Sequence, residues 1–141
     1  MKEQLASLYE YGGWVNQRLF DTATALTEKQ FAQKVLPGFD SVHLMLVHIL
    51  GAEVLWLARS QEQSPKTMLS SRELPNGQAI RERWMELIAQ RRAYFAGLDE
   101  AELGVTVYWT NMRGQPYALP CWQVMLHSAN HSTHHRSEVA A

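Results

Sequence analysis

Apolar residues recur at mixed spacings of three and four from Lys2 to about Leu26, and Leu5, Leu8, Tyr9, Trp14, Leu19 and Phe20 predict a first amphipathic helix. Its weak point is Gly12-Gly13, since a glycine inside a helix costs about 1 kcal/mol relative to alanine. Pro37-Gly38 then breaks the chain, and Asp40 or Ser41 offers an N-cap for a second helix over Ser41 to Arg59. That segment is apolar nearly all round, which predicts burial on more than one side. Ser60 to Pro75 is polar and reads as a connection. Asn76 can cap a third helix over Gly77 to Leu98, with Ile80, Trp84, Leu87, Ile88, Tyr94 and Phe95 along it. Val105 to Trp109 is a short β-branched and aromatic run, Met112 to Gln115 a turn, and Pro116 to Pro120 the return: a small hairpin or an extended loop. A last helix starts at Cys121 and runs to the end. The fold class predicted is all-α, a four-helix bundle forming a single domain over residues 1–141.

Composition narrows the function. Hydrophobic residues make up 46% and charged residues 19%, which excludes disorder. A net charge of −1 and the absence of a basic stripe argue against nucleic acid as a partner. Arg81, Arg83, Arg91 and Arg92 are diluted by Glu82 and Glu86 and read as a solvated helix face. The most apolar run, Leu44 to Ala58, is interrupted by His48 and Glu53 and reads as too short to cross a membrane. No leader pattern opens the sequence. The expectation is a soluble, cytoplasmic protein. Cys121 is the single cysteine, so no internal disulfide can form.

The last helix carries the chemistry. Four of six histidines fall between His127 and His135. Helix positions four apart differ by about 40° and rise about 6 Å, so His127, His131 and His135 form a row. Two adjacent members can grip one metal ion, but all three cannot, because metal–nitrogen bonds are only about 2.0–2.1 Å. The third ligand must come from elsewhere, and His48 is the natural one. It shares a face with Leu44, Met45, Ala52 and Leu55, where an unpaired imidazole would be costly. His43 lies about 140° around the helix from His48 and reads as uninvolved. Spacing leaves the pair open among His127/His131, His131/His135 and His131/His134.

Leu46 to Leu57, with His48 inside it, resembles the second-helix motif of the DinB/YfiT-like proteins. Trp122 to His127 and Asn130 to Arg136 resemble that family's last-helix motif, and Tyr11 to Leu19 is similar to its first helix. The resemblance implies an up-down-down-up bundle with a long connection between the second and third helices, and a homodimer. It also implies a divalent metal, nickel or zinc, held by His48, His131 and His135. Ala141 ends the sequence six residues past His135, where the family's last helix is expected to continue, and Ser137-Glu138 stands where a Gly-Gln pair is expected.

Three histidines without a fourth protein ligand leave an open coordination position, the arrangement of catalytic zinc. A small-molecule substrate or a low-molecular-weight thiol could bind there, and relatives implied by the resemblance include thiol-dependent transferases and an isomerase. The expected function is a metal-dependent thiol transferase or hydrolase; the competing one is a non-catalytic metal- or ligand-binding protein of a stress response. Glu53 and Glu138 are the candidate bases. The plainer readings are a buried ion pair or rim position for Glu53 and a surface glutamate for Glu138. Cys121, about 15 Å along the helix from His131, reads as a helix-start filler. Trp14, Trp56, Trp84 and Trp122 read mostly as core, with Trp56 also a candidate pocket wall, and Tyr9 and Asn16 as candidate pocket residues.

Overall fold

The computed structural model describes residues 1–35 and 41–140. It contains α1 (Lys2–Ala23), α2 (Glu28–Ala32), α3 (Val42–Ser60), α4 (Gly77–Gly97), a 3-10 turn (Ala101–Gly104), β1 (Thr106–Thr110), β2 (Pro116–Pro120) and α5 (Cys121–Ala140). The chain is mostly helical, with one short two-stranded sheet. Each long helix touches two others: α5 packs on α3 and α1, and α4 packs on the same two.

The caps follow from side-chain chemistry. Ser41 Oγ accepts the Leu44 N–H at 3.3 Å and Asn76 Oδ1 accepts the Ala79 N–H at 2.9 Å. The Pro37-Gly38 break and the alternative cap Asp40 lie outside the described residues. α1 ends at Ala23, short of the predicted Leu26, because Thr27 opens a helix of its own. Thr27 and Gln30 form a reciprocal capping box, which the Thr-x-x-Gln spacing already contained and the helical periodicity did not reveal. Gly12-Gly13 stays helical, and Gly12 serves a close approach: a Cβ there would sit 3.4 Å from Arg136 Nη1.

Residues 105–120 are the hairpin rather than the extended loop, antiparallel with Thr106 opposite Pro120 and Thr110 opposite Pro116. Asn111 Oδ1 accepts the backbone N–H groups of Arg113 and Gln115, and Gly114 takes φ +80° to close the turn. Val107 and Trp109 point into the core while Tyr108 is exposed, the two-residue alternation of a half-buried strand.

Two apolar clusters fill the interior. One gathers Leu5, Phe95, Leu98, Leu103, Val107, Trp109, Val124 and Met125, and the other Phe20, Leu46, Ile49, Leu50, Ile80, Trp84 and Leu87. A buried polar network joins Glu53, Arg91, Arg136 and Asn16. Arg91 therefore corrects the solvated-face reading. It lies on the inner side of α4, between Leu87 and Phe95 along the helix, and ends on Glu53 at 2.7 Å. Trp14 is a second correction, exposed and overlain by the Arg18 guanidinium at 5.1 Å. A third concerns α3, whose 19 residues are long and apolar enough to cross a membrane by length and composition. Half of that stretch is buried by the protein itself, and Glu53 and Arg59 are buried on it.

Candidate metal centre

α3 and α5 share the most extensive helix contact, and their histidines meet along it. His48 lies beside His131 and His135, with ring centroids 5.2 and 4.5 Å apart, and His131 lies 4.4 Å from His135. One ligand atom from each of the three falls within 4.8 Å of the others. The Nε2 atoms of His48 and His135 are 3.2 Å apart. Two imidazole nitrogens on one tetrahedral ion would stand about 3.3 Å apart, given bonds of about 2.0–2.1 Å, so this separation fits a shared ion.

The remaining histidines stand elsewhere. His127 is one turn further along the row, 6.2 Å from His131 and in tilted contact with Trp56 at 4.3 Å. His134 is exposed. His43 pairs with the Leu74 carbonyl at 2.7 Å and stacks on Phe31. Among the spacings left open, His131 and His135 are the two that face His48.

Glu138 is not a plain surface glutamate. Its Oε2 sits 2.6 Å from Nδ1 of His135, and its Oε1 is 3.3 Å from Nε2 of His134. A carboxylate at Nδ1 keeps the proton there and leaves the Nε2 lone pair free for an ion. His134, His135 and Glu138 also form a compact donor group, but its shortest contact is this hydrogen bond.

Electrostatics favour the ligating, neutral form of the imidazoles. Burial, then the neighbouring His135 and His48, pushes His131 down to about 4. Burial, then His135, lowers His48. His131 Nδ1 is buried with no hydrogen-bond partner among the described residues, a cost that coordination through Nδ1 itself would offset. The sign of the pH effect follows. The unfolded chain protonates His131 near 6.5 and the folded chain only near 4, so folding loses stability as pH falls through that window. Chelator-treated protein should therefore show a lower urea midpoint near pH 4.5 than near pH 7, and a His131→Gln variant should lose less between them.

Glu53, a candidate base, does not face the histidines. It is buried in ion pairs with Arg91 and, at 3.9 Å, Arg136. Asn16, a candidate pocket residue, is buried in the same network. Tyr9 donates its hydroxyl to the Met125 carbonyl at 2.8 Å and lines a groove of about 520 Å³ between α1 and α4, a groove that no histidine lines. Cys121 is buried, its thiol pushed up by burial despite the helix start, as befits a filler. Trp84 belongs to one apolar cluster and Trp122 packs against the other, while Trp56 walls the histidine row at His127. Sequence reasoning missed Arg59, a buried cation stacked on Trp56; its spacing of eleven from His48, about three helical turns, was the available signal.

A family model described as the DinB family matches residues 1–141. A crystal structure of a DinB-like protein from Bacillus cereus ATCC 10987 superposes with a TM-score of 0.73 at 17% identity, over 98% of this chain and 87% of that one. At that identity the likeness speaks for the fold. No curated protein matches the chain.

Proposed function

The chain belongs to the DinB family, and from that premise we propose that it holds one divalent metal ion through His48, His131 and His135 and acts as a metal-dependent enzyme on small molecules. The observation carrying this is the convergence of three imidazoles from two helices, with no fourth side-chain donor in the group among the described residues. Imidazole suits both zinc and nickel, the ions implied by the resemblance. A bound ion of this kind lowers the pKa of a coordinated water or thiol and so supplies a nucleophile at neutral pH. Glu138 holds the Nδ1 proton of His135, His48 and His131 stay neutral, and Trp56 covers one end of the row.

Thiol transfer or hydrolysis is the reaction class, with a low-molecular-weight thiol or another small molecule as ligand. The test is conjugation of a panel of thiols to a chromogenic electrophile, alongside ester hydrolysis, using metal-loaded, chelator-stripped and His131→Ala protein. Turnover by loaded protein alone supports the proposal; equal rates in all three overturn catalysis at this centre. Glu138→Gln should weaken metal affinity roughly 10–100-fold, read by competition with a coloured chelator. Unchanged affinity would return Glu138 to an idle role.

The up-down-down-up bundle belongs to the same proposal. Its support is the order of contacts: Glu10 with Arg92 and Asp21 with Arg81 run oppositely along α1 and α4. His48 with His135 and Trp56 with His127 do the same along α3 and α5. Exposed Tyr11, Trp14 and Met85 support a homodimer, and a cytoplasmic location accords with the single reduced cysteine.

A further inference from the structure

Three arginines are more than nine-tenths buried: Arg59, Arg91 and Arg136. Arg91 and Arg136 face Glu53, and Arg136 also donates to Asn16 and Thr133. Arg59 makes no hydrogen bond or ion pair among the described residues, and its Nε is buried without a partner. Its guanidinium lies 4.4 Å from the ring centre of Trp56 and 5.9 Å from that of Trp109. Those rings attract the cation through their faces. They offer nothing to its in-plane N–H donors, of which only Nε is sealed off, so the Nη groups are the ones an anion can reach.

The location gives this arrangement a use. Arg59 follows His48 by eleven residues, which brings it to within about 20° of the same face of α3 and about 16 Å along the axis. Trp56, stacked on Arg59, also touches His127, the next member of the row that leads to His131. Partial burial and then the positive Arg59 lower the His127 imidazole, which makes no hydrogen bond among the described residues. An unpartnered cation, a neutral imidazole and two indoles thus continue the histidine row toward one end of α3.

We propose that Arg59, held between Trp56 and Trp109 and beside His127, is an anion subsite that takes a carboxylate of the small-molecule ligand. The ligand's reactive end would lie at the three-histidine centre, and that part rests on the proposed metal function; the anion subsite does not. The separation along α3 implies an elongated ligand, about the length of five extended residues.

Trp56 and Trp109 provide the readout. Their fluorescence is titrated with glutarate, and with its neutral diamide, at constant ionic strength. Wild-type protein should respond saturably to glutarate and not to the diamide. Arg59→Met should bind glutarate at least tenfold more weakly, and Arg59→Lys should fall between the two. Ligand-free Arg59→Met should melt no lower than wild type, because a buried cation with no ion pair among the described residues has been replaced by an apolar chain of similar length. Identical wild-type responses to the two probes overturn the subsite, whatever the variants do. Undiminished glutarate binding by Arg59→Met overturns its location. His131→Ala should retain glutarate binding, so a failed metal reading leaves this result standing and is recognised separately by elemental analysis.

Discussion

His131→Ala and His48→Ala protein should each emerge from purification without metal, whereas untagged wild-type protein should carry about one zinc or nickel ion per chain. Either variant removes one of three ligands drawn from two helices, and the two survivors make an incomplete site. The effect should also appear in folding. A ligand at a hundredfold excess over its Kd stabilises the native state by about 2.7 kcal/mol. Wild-type melting should therefore rise on adding the ion while both variants stay flat. A metal-free wild type that gains nothing from zinc or nickel would end the metalloprotein reading, and the three imidazoles would then need a purely structural account. His127→Ala is the internal control: its ring lies outside the triad, so its metal content should match wild type.

The second large effect concerns Glu53. Its carboxylate sits 2.7 Å from Arg91 and 3.9 Å from Arg136, with all three side chains less than one-tenth exposed. Glu53→Gln leaves two buried guanidinium groups without a counter-charge, and breaking such a pair costs about 3–5 kcal/mol. For a domain of this size that corresponds to a fall in Tm of roughly 10–15 °C. Urea denaturation of the Glu53→Gln and Arg91→Gln single variants, with the Glu53→Gln/Arg91→Gln double variant to complete the cycle, measures the coupling. A Tm within a degree or two of wild type would mean that water reaches the network. Arg136 follows His135 directly on α5, so loosening this network should also disturb the metal centre, and metal content is a second readout.

The long helices were legible because each carries its own signal: apolar periodicity, an Asn or Ser cap, and breakers between them. α2 was not, since five residues are too few for a period to register. The hairpin was half legible. Alternation in Val105 to Trp109 and the Gly114 turn suggested it, but pairing depends on a register that only the ladder supplies.

Within the site, local spacing brought His127, His131 and His135 onto one face and excluded all three sharing one ion. Helix geometry alone requires both, so the sequence by itself determined that a metal, if bound, needs a donor from another element. Which adjacent pair meets His48 depends on how far α3 is slid along α5, a quantity that no local pattern encodes. The same holds for the charges. Arg91 and Arg92 are neighbours in sequence, yet one is buried on Glu53 and the other exposed on Glu10. Arg59 is buried with no carboxylate beside it among the described residues. Helical phase assigns each residue an angle around its axis, whereas burial and partnership arise only when four such axes pack together. The tertiary structure therefore decided which histidines converge, that Glu138 holds His135, and that Arg59 is buried against Trp56 and Trp109.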